Sequence, residues 1–448
     1  MASLPNSYYR IYVRVRHSMA FVPSIIGTLF FLAALLVNAI EYLAPINKLK
    51  EAISFALVTD VATARTVLAI LIGGLISLTV FSFSMVMLSI NQASATLSPA
   101  VVPALIADPL RQKILGIYIG TITFYLTITL NMNPLDYQSK VPQLGILMCY
   151  LLAILCITLF VYFISSITRS LQVDTILQDL YDQTLSQLKQ KTTTDHSSEL
   201  DDSIQDLLSE EGWSAVKTVQ PGYFKSVNKN QLLDLMTEND VSVSLQVRRG
   251  EFAVVGEPVL KVSKELDEEK QQELAECFVF YMEEFAEEHY SYGIKHISQI
   301  GVKALSPGIN DPMTAIKCIQ LLSLLLIEAT PVESFEIIET ETAEPYCRIP
   351  EYTLADLVFL AIAPLCKYAQ TDAQTLIALF TLMKSLIVSA RDEKDQDMLG
   401  NFARCLADDV HTNIKNAVDR NHIDHQINTI NHLSERVDKS AIPLLAER

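Results

Sequence analysis

The chain has 448 residues, half of them apolar, with 34 Lys/Arg against 51 Asp/Glu and a formal net charge of −17. The charge is unevenly spread: up to residue 170, ten basic residues face five acidic ones, whereas the remainder carries 24 against 46. So acidic a remainder disfavours nucleic acid as a partner, and seven cysteines without C-x-x-C spacing speak against a disulfide framework or a zinc site.

Taken in chain order, four runs meet or approach the roughly 20 apolar residues that a bilayer core of about 30 Å requires. They predict a transmembrane domain over 1–168 with helices at about 18–41, 64–97, 113–131 and 143–168. The first, Phe21 to Ile40, carries no charge and no small-residue cleavage site, so it reads as an uncleaved anchor. Arg10, Arg14, Arg16, Arg111, Lys113 and Arg169 flank one side, against Lys48, Lys50, Lys140 and Arg65 on the other. This bias predicts both termini in the cytoplasm of a multi-pass protein of the bacterial inner membrane.

The second run is the most informative. Thr66 to Ala107 contains no charged residue and is far longer than one span, so something must shelter its second half. Either the helix continues inward and breaks near Ser98 and Pro99, with Thr96, Ser98, Pro99 and Pro103 as a gate or constriction, or the stretch is an ordinary cytoplasmic loop. Ser77, Ser84 and Asn91 recur every seven residues on it, and Tyr118, Thr121, Tyr125 and Thr129 form one stripe on the third helix. Such stripes serve either helix-to-helix contact or a pore lined by neutral hydroxyls. No ionisable carboxylate, amine or imidazole lies mid-span, which argues against a proton relay or voltage sensor.

A connecting amphipathic helix is expected over 169–192, then a polar linker over 193–212. A small β module follows over 213–263, where Val241, Val243, Leu245 and Val247 alternate with polar residues and Gly250 turns the chain into EFAVVGEPVLKV. The glycine turns of GEFAVVGEPVL are similar to those of biotinyl- or lipoyl-type barrel modules, with Gln220-Pro221-Gly222-Tyr223 opening the same barrel; the lysine of a swinging cofactor is missing. Helical periodicity predicts an α-helical bundle over 264–448. The fold class is thus a four-helix membrane region with a cytoplasmic α+β domain, a barrel-like module followed by a bundle.

The sharpest local signature is ALSPGINDPMTA at 304–315, where Gly308 suits a left-handed turn, Asp311 an N-cap and Pro312 the first helical position. The loop either caps a helix or presents Ser306, Gly308, Asn310 and Asp311 to a ligand or ion. SPGINDPMTA, together with the uncharged second span and its SPAVVPALIADPLRQKILGIYIGT continuation, resembles a family of predicted bacterial integral membrane proteins carrying a domain of unknown function. The likeness covers nearly the whole chain. It implies four helices plus a cytoplasmic domain and brings no activity or catalytic residues. His422 and His425 share a helix face near the C-terminus, a weak metal pair, since exposed helical histidines usually bind nothing. Without a nucleophile, phosphate-loop or metal-protease motif, no enzyme and no cofactor are expected. The expected function is an oligomeric channel or pore for small ions, regulated by its cytoplasmic domain, with lipid, an ion or small ligand and further copies of the chain as partners. The alternative is a membrane-anchored sensor or scaffold whose helices hold a ligand-reading domain.

Overall fold

A computed structural model describes residues 20–41, 60–96, 109–132, 141–170, 172–195, 210, 212–218, 220–282, 289–332, 335–339 and 345–434. The chain divides into two compact units, one built from the helices up to Thr175 and one from Ile176 onward.

The first unit holds α1 (Phe21–Ile40), α2 (Val61–Thr96), α3 (Pro109–Leu130) and α4 (Gln143–Ser170). α3 is the most enclosed of them. It packs chiefly on α1, and glycines make this possible: a Cβ on Gly116 would lie 3.0 Å from the Pro23 Cα, and one on Gly120 would lie 2.8 Å from the Phe30 ring. The small-xxx-small spacing lets two backbones approach where lipid supplies no hydrophobic driving force. Glu41, fully buried at the end of α1, accepts hydrogen bonds from the Leu144 and Gly145 amides at 3.0 and 3.2 Å. A carboxylate thus satisfies orphan donors at the start of α4. Arg65 donates to the Met132 carbonyl and ties the start of α2 to the end of α3. At 36 residues α2 spans about 54 Å at helical rise.

The second unit begins with α5 (Val173–Asp195) and continues with β1 (Ser214–Lys217), β2 (Gly222–Val227), α6 (Lys229–Asn239), β3 (Val243–Leu245), β4 (Phe252–Ala253), β5 (Pro258–Val262), α7 (Glu268–Glu276) and β6 (Phe278–Tyr281). It ends with α8 (Tyr290–Ala304), α9 (Pro312–Ala329), β7 (Phe335–Glu339), β8 (Tyr346–Pro350), α10 (Leu354–Ala369), α11 (Ala373–Ser389), α12 (Glu393–Asn413) and α13 (Ala417–Ser434). The strands form a five-stranded sheet, β1-β5-β3-β8-β7, and a three-stranded one, β4-β2-β6. Pairing is antiparallel except between β3 and β8.

Three expectations are corrected here. Among the described residues the barrel-like module is two separate sheets, and neither closes into a barrel. The run expected to form one hairpin partner is cut at Gly256, φ +87°, so that β4 joins β2 while β5 returns to β3. The region beyond Lys261 is not wholly helical: β6, β7 and β8 complete the sheets, and Cys347 and Ile349 enter the same core as Val243 and Leu260. Separately, among the described residues five helices are long and apolar enough to cross a bilayer, against the four spans expected. The additional one is α9, which packs against α8, α10 and α11 and buries eight residues from Ala315 to Ala329. A helix enclosed by a bundle is apolar on most sides, so composition alone cannot separate it from a span.

Candidate functional site

The most built polar constellation lies where α5 packs on the strands and on α8. β7 and β8 are antiparallel neighbours with Glu336 paired opposite Ile349, so Glu336 and Glu351, just past the end of β8, emerge close together. Lys191 of α5 reaches both: its Nζ lies 2.9 Å from Glu336 Oε2 and 2.9 Å from Glu351 Oε1. Arg249, after β3, and Lys229, at the start of α6, complete Glu336 at 3.0 Å each. Tyr290 donates to Glu351 Oε2 at 3.0 Å, and His289 Nε2 stands 3.5 Å from the same oxygen. The Glu351 side chain is fully buried.

Electrostatics follow from this geometry. Burial would raise the Glu336 carboxyl, but the charges of Arg249 and Lys191, with hydrogen bonds from Lys191 and Lys229, hold it at about 2. Burial likewise opposes the Glu351 charge, and the hydrogen bond from His289 and the Lys191 ammonium overcome it, again at about 2. Burial lowers the ammonium of Lys191, but Glu351 and Glu336 reverse this and raise it. His289 is pushed down by burial and is neutral. Its Nδ1 accepts from the Ser291 amide at 3.3 Å, which places the proton on Nε2, facing Glu351.

All three shifts on Glu336, Glu351 and His289 have one sign for stability. Their folded pKa values lie below the unfolded ones, so the unfolded chain binds more protons as pH falls and stability is lost. The second unit is expected to weaken as pH drops below about 6.5, as His289 begins to demand a proton, and to fail more steeply between about 4.5 and 2, as the two carboxylates do. Trp213, the chain's one tryptophan, sits in this unit 6.4 Å from the Tyr346 ring and reports it alone. A Trp213 fluorescence midpoint in urea that is flat from pH 7 to 3 would contradict the assignment.

α5 is further locked by a close approach. A Cβ on Gly293 of α8 would lie 1.8 Å from Thr184 Oγ1 and 2.9 Å from Thr184 Cβ. Gly250, φ +87°, serves the same corner, turning the chain beneath Ser291 and Tyr292.

The residues singled out from sequence fall elsewhere. Ser77, Ser84 and Asn91 are exposed on α2, and the Ser77 and Ser84 hydroxyls donate to their own helix at Gly73 and Val80. Tyr118, Thr121 and Tyr125 are buried inside the first unit, with Tyr125 donating to the Cys149 carbonyl at 2.6 Å and Thr121 accepting from the Cys156 thiol at 3.5 Å; Thr129, half-buried, donates to its own helix. The two stripes therefore do not share one surface of the monomer. Thr96 ends α2, and Ser98, Pro99 and Pro103 lie outside the described residues.

Between α8 and α9 the loop is closed on itself. Ser306 donates to the Lys303 carbonyl at 2.6 Å, the Asn310 amide donates to Ser306, and Asp311 accepts from the Thr314 amide and hydroxyl at 3.1 and 2.6 Å. The left-handed residue is Asn310, φ +50°, and not Gly308, whose Cβ position is open. Gly308→Ala is therefore expected to change stability by no more than about 0.5 kcal/mol, whereas Asn310→Val should cost about 1–2 kcal/mol. Equal midpoints for the two variants in urea would contradict this. His422 and His425 are exposed, and no group of three metal-ligating side chains occurs among the described residues.

Comparison with known proteins fits a membrane chain with an α/β unit. A family model described as "Predicted membrane protein (DUF2254)" matches residues 16–385. Uncharacterised proteins of Mycobacterium bovis and Mycobacterium tuberculosis are each 22% identical over 341 residues, covering 73% of this chain. The match spans 64% of the length of those relatives. No solved structure matches. With its apolar helices and a family model covering most of its length, the chain belongs to this family of predicted membrane proteins.

Proposed function

We propose that the chain is a membrane anchor carrying a ligand-reading cytoplasmic unit, with α5 as the element that couples that unit to the membrane helices. The observation that supports it is Lys191. It is a cation on the helix that starts three residues after α4 ends, and it stands half-buried, 2.9 Å from both Glu336 and Glu351. A helix serving only as a tether needs no more than an apolar seam. A buried ion pair adds little net stability, and its best-attested use is to fix one register of packing. In this reading α1 to α4 are the four spans of a bacterial inner-membrane protein, both termini are cytoplasmic by the arginine bias, and α9 is a core helix of the soluble unit. The chain works as a homo-oligomer without catalysis of its own, because α2 outlasts a bilayer core of about 30 Å and needs neighbours.

A second reading, an ion pore, is favoured by one specific observation: Ser77, Ser84 and Asn91 lie exposed on α2 at seven-residue intervals. Purified protein in planar bilayers discriminates between the two. The anchor reading expects no conductance across voltage, salt and pH; steady currents that Ser84→Leu abolishes would replace it with the pore.

A further inference from the structure

Outside the ionic cluster, the second unit contains a cleft of about 550 Å³ between α8 and α10. Its floor is tight. Ser298 donates to the Ala361 carbonyl at 2.6 Å, and Gly301 lies so close to Leu365 that a Cβ would stand 2.8 Å from its methyl. Above that floor, α8 contributes Lys295, Gln299 and Lys303, and α10 contributes Leu360, Pro364 and Tyr368.

The chemistry of this lining is specific. Among the described residues that line it, Lys295 and Lys303 are the charged ones and none is acidic, although the second unit as a whole is strongly acidic. Eight residues of helix place the two lysines about 12 Å apart along α8. Pro364 sits inside α10 and has no N–H to give the Leu360 carbonyl, so that carbonyl lacks its usual helical donor. Tyr368, 49% exposed, offers an aromatic face at the rim. The volume lies within the range of about 300–1,000 Å³ typical of small-molecule sites.

We infer that this cleft binds a phosphate-bearing ligand, with Lys295 and Lys303 holding the anion, the Leu360 carbonyl accepting from a donor on the ligand, and Tyr368 stacking on its apolar part. The inference rests on the ligand-reading half of the function proposed above and gives it a site and a ligand class. The phosphate comes either from a soluble nucleotide-sized molecule or from a lipid headgroup.

Two probes distinguish these sources. The full chain in phosphatidylcholine nanodiscs is titrated with ATP in EDTA by calorimetry, and the same chain in detergent is titrated with phosphatidylglycerol vesicles. Saturable binding of one of the two is expected, weakened at least tenfold by Lys295→Gln with Lys303→Gln and at least threefold by Tyr368→Ala. It should be unchanged by Lys394→Gln on α12, an exposed lysine outside the cleft. No saturable binding of either probe, or an equal loss with Lys394→Gln, overturns the site. Hydrogen exchange of α5 read in the same samples separates the two claims. Lysine-dependent binding that leaves α5 unchanged keeps the site and removes the relay, and an empty cleft beside an intact α5 lock removes the site alone.

Discussion

Lys191→Met is expected to destabilise the second unit by about 3–5 kcal/mol, the cost of leaving a buried charge without its partner. The loss falls mainly on Glu351. Glu336 keeps Arg249 and Lys229, whereas Glu351, fully buried, would retain, among the described residues, the neutral donors Tyr290 and His289. Glu351→Gln in the Lys191→Met background removes that orphaned charge while preserving an oxygen to accept from Tyr290. The double variant should therefore be more stable than Lys191→Met alone, a coupling that separate sites would not show. Urea unfolding followed by Trp213 measures both, and strictly additive losses would contradict the account.

Gly293→Ala is expected to be the most disruptive single methyl in this unit. At 1.8 Å from Thr184 Oγ1 the new carbon cannot coexist with α5 in place, so the two helices must part, at about 3 kcal/mol or more. Thr184→Ala removes the hydroxyl and the γ-methyl but leaves Cβ at 2.9 Å, so it should restore only part of the loss. Alone, Thr184→Ala forfeits only a bond to its own helix, at the Leu180 carbonyl, and a small volume, about 1 kcal/mol. If Gly293→Ala unfolds at the wild-type midpoint, α5 is not seated on α8 as described.

Much of the architecture was legible because long apolar runs leave few alternatives: the runs at 21–40, 66–90, 114–130 and 144–167 all lie within helices of the first unit. Local capping chemistry was also legible, since Asp311 ahead of Pro312 does start α9. What escaped had physical reasons. β7 and β8 are five residues each, between helical patterns, and become strands only through pairing with one another and with β3. The aromatic and β-branched residues in FEIIE and YCRIP were the available signal. Lys191 and Glu336 stand 145 residues apart, so nothing local marks them as partners; isolated charges read as solvated surface until the fold buries them. The hydroxyl stripe of α3 shows the converse, because spacing defines a face but not what covers it. The structure covers Tyr118, Thr121 and Tyr125 with neighbouring helices.

The central claim, that α5 and the β7–β8 corner form one coupled element, is tested most directly by hydrogen exchange of the full chain in nanodiscs. Amides of α5 from Ile176 to Lys191, of β7 and β8, and of the first turn of α8 should exchange as one cooperative unit, and Lys191→Met should accelerate all of them together. Faster exchange confined to α5, with β8 and α8 keeping wild-type protection, would contradict it.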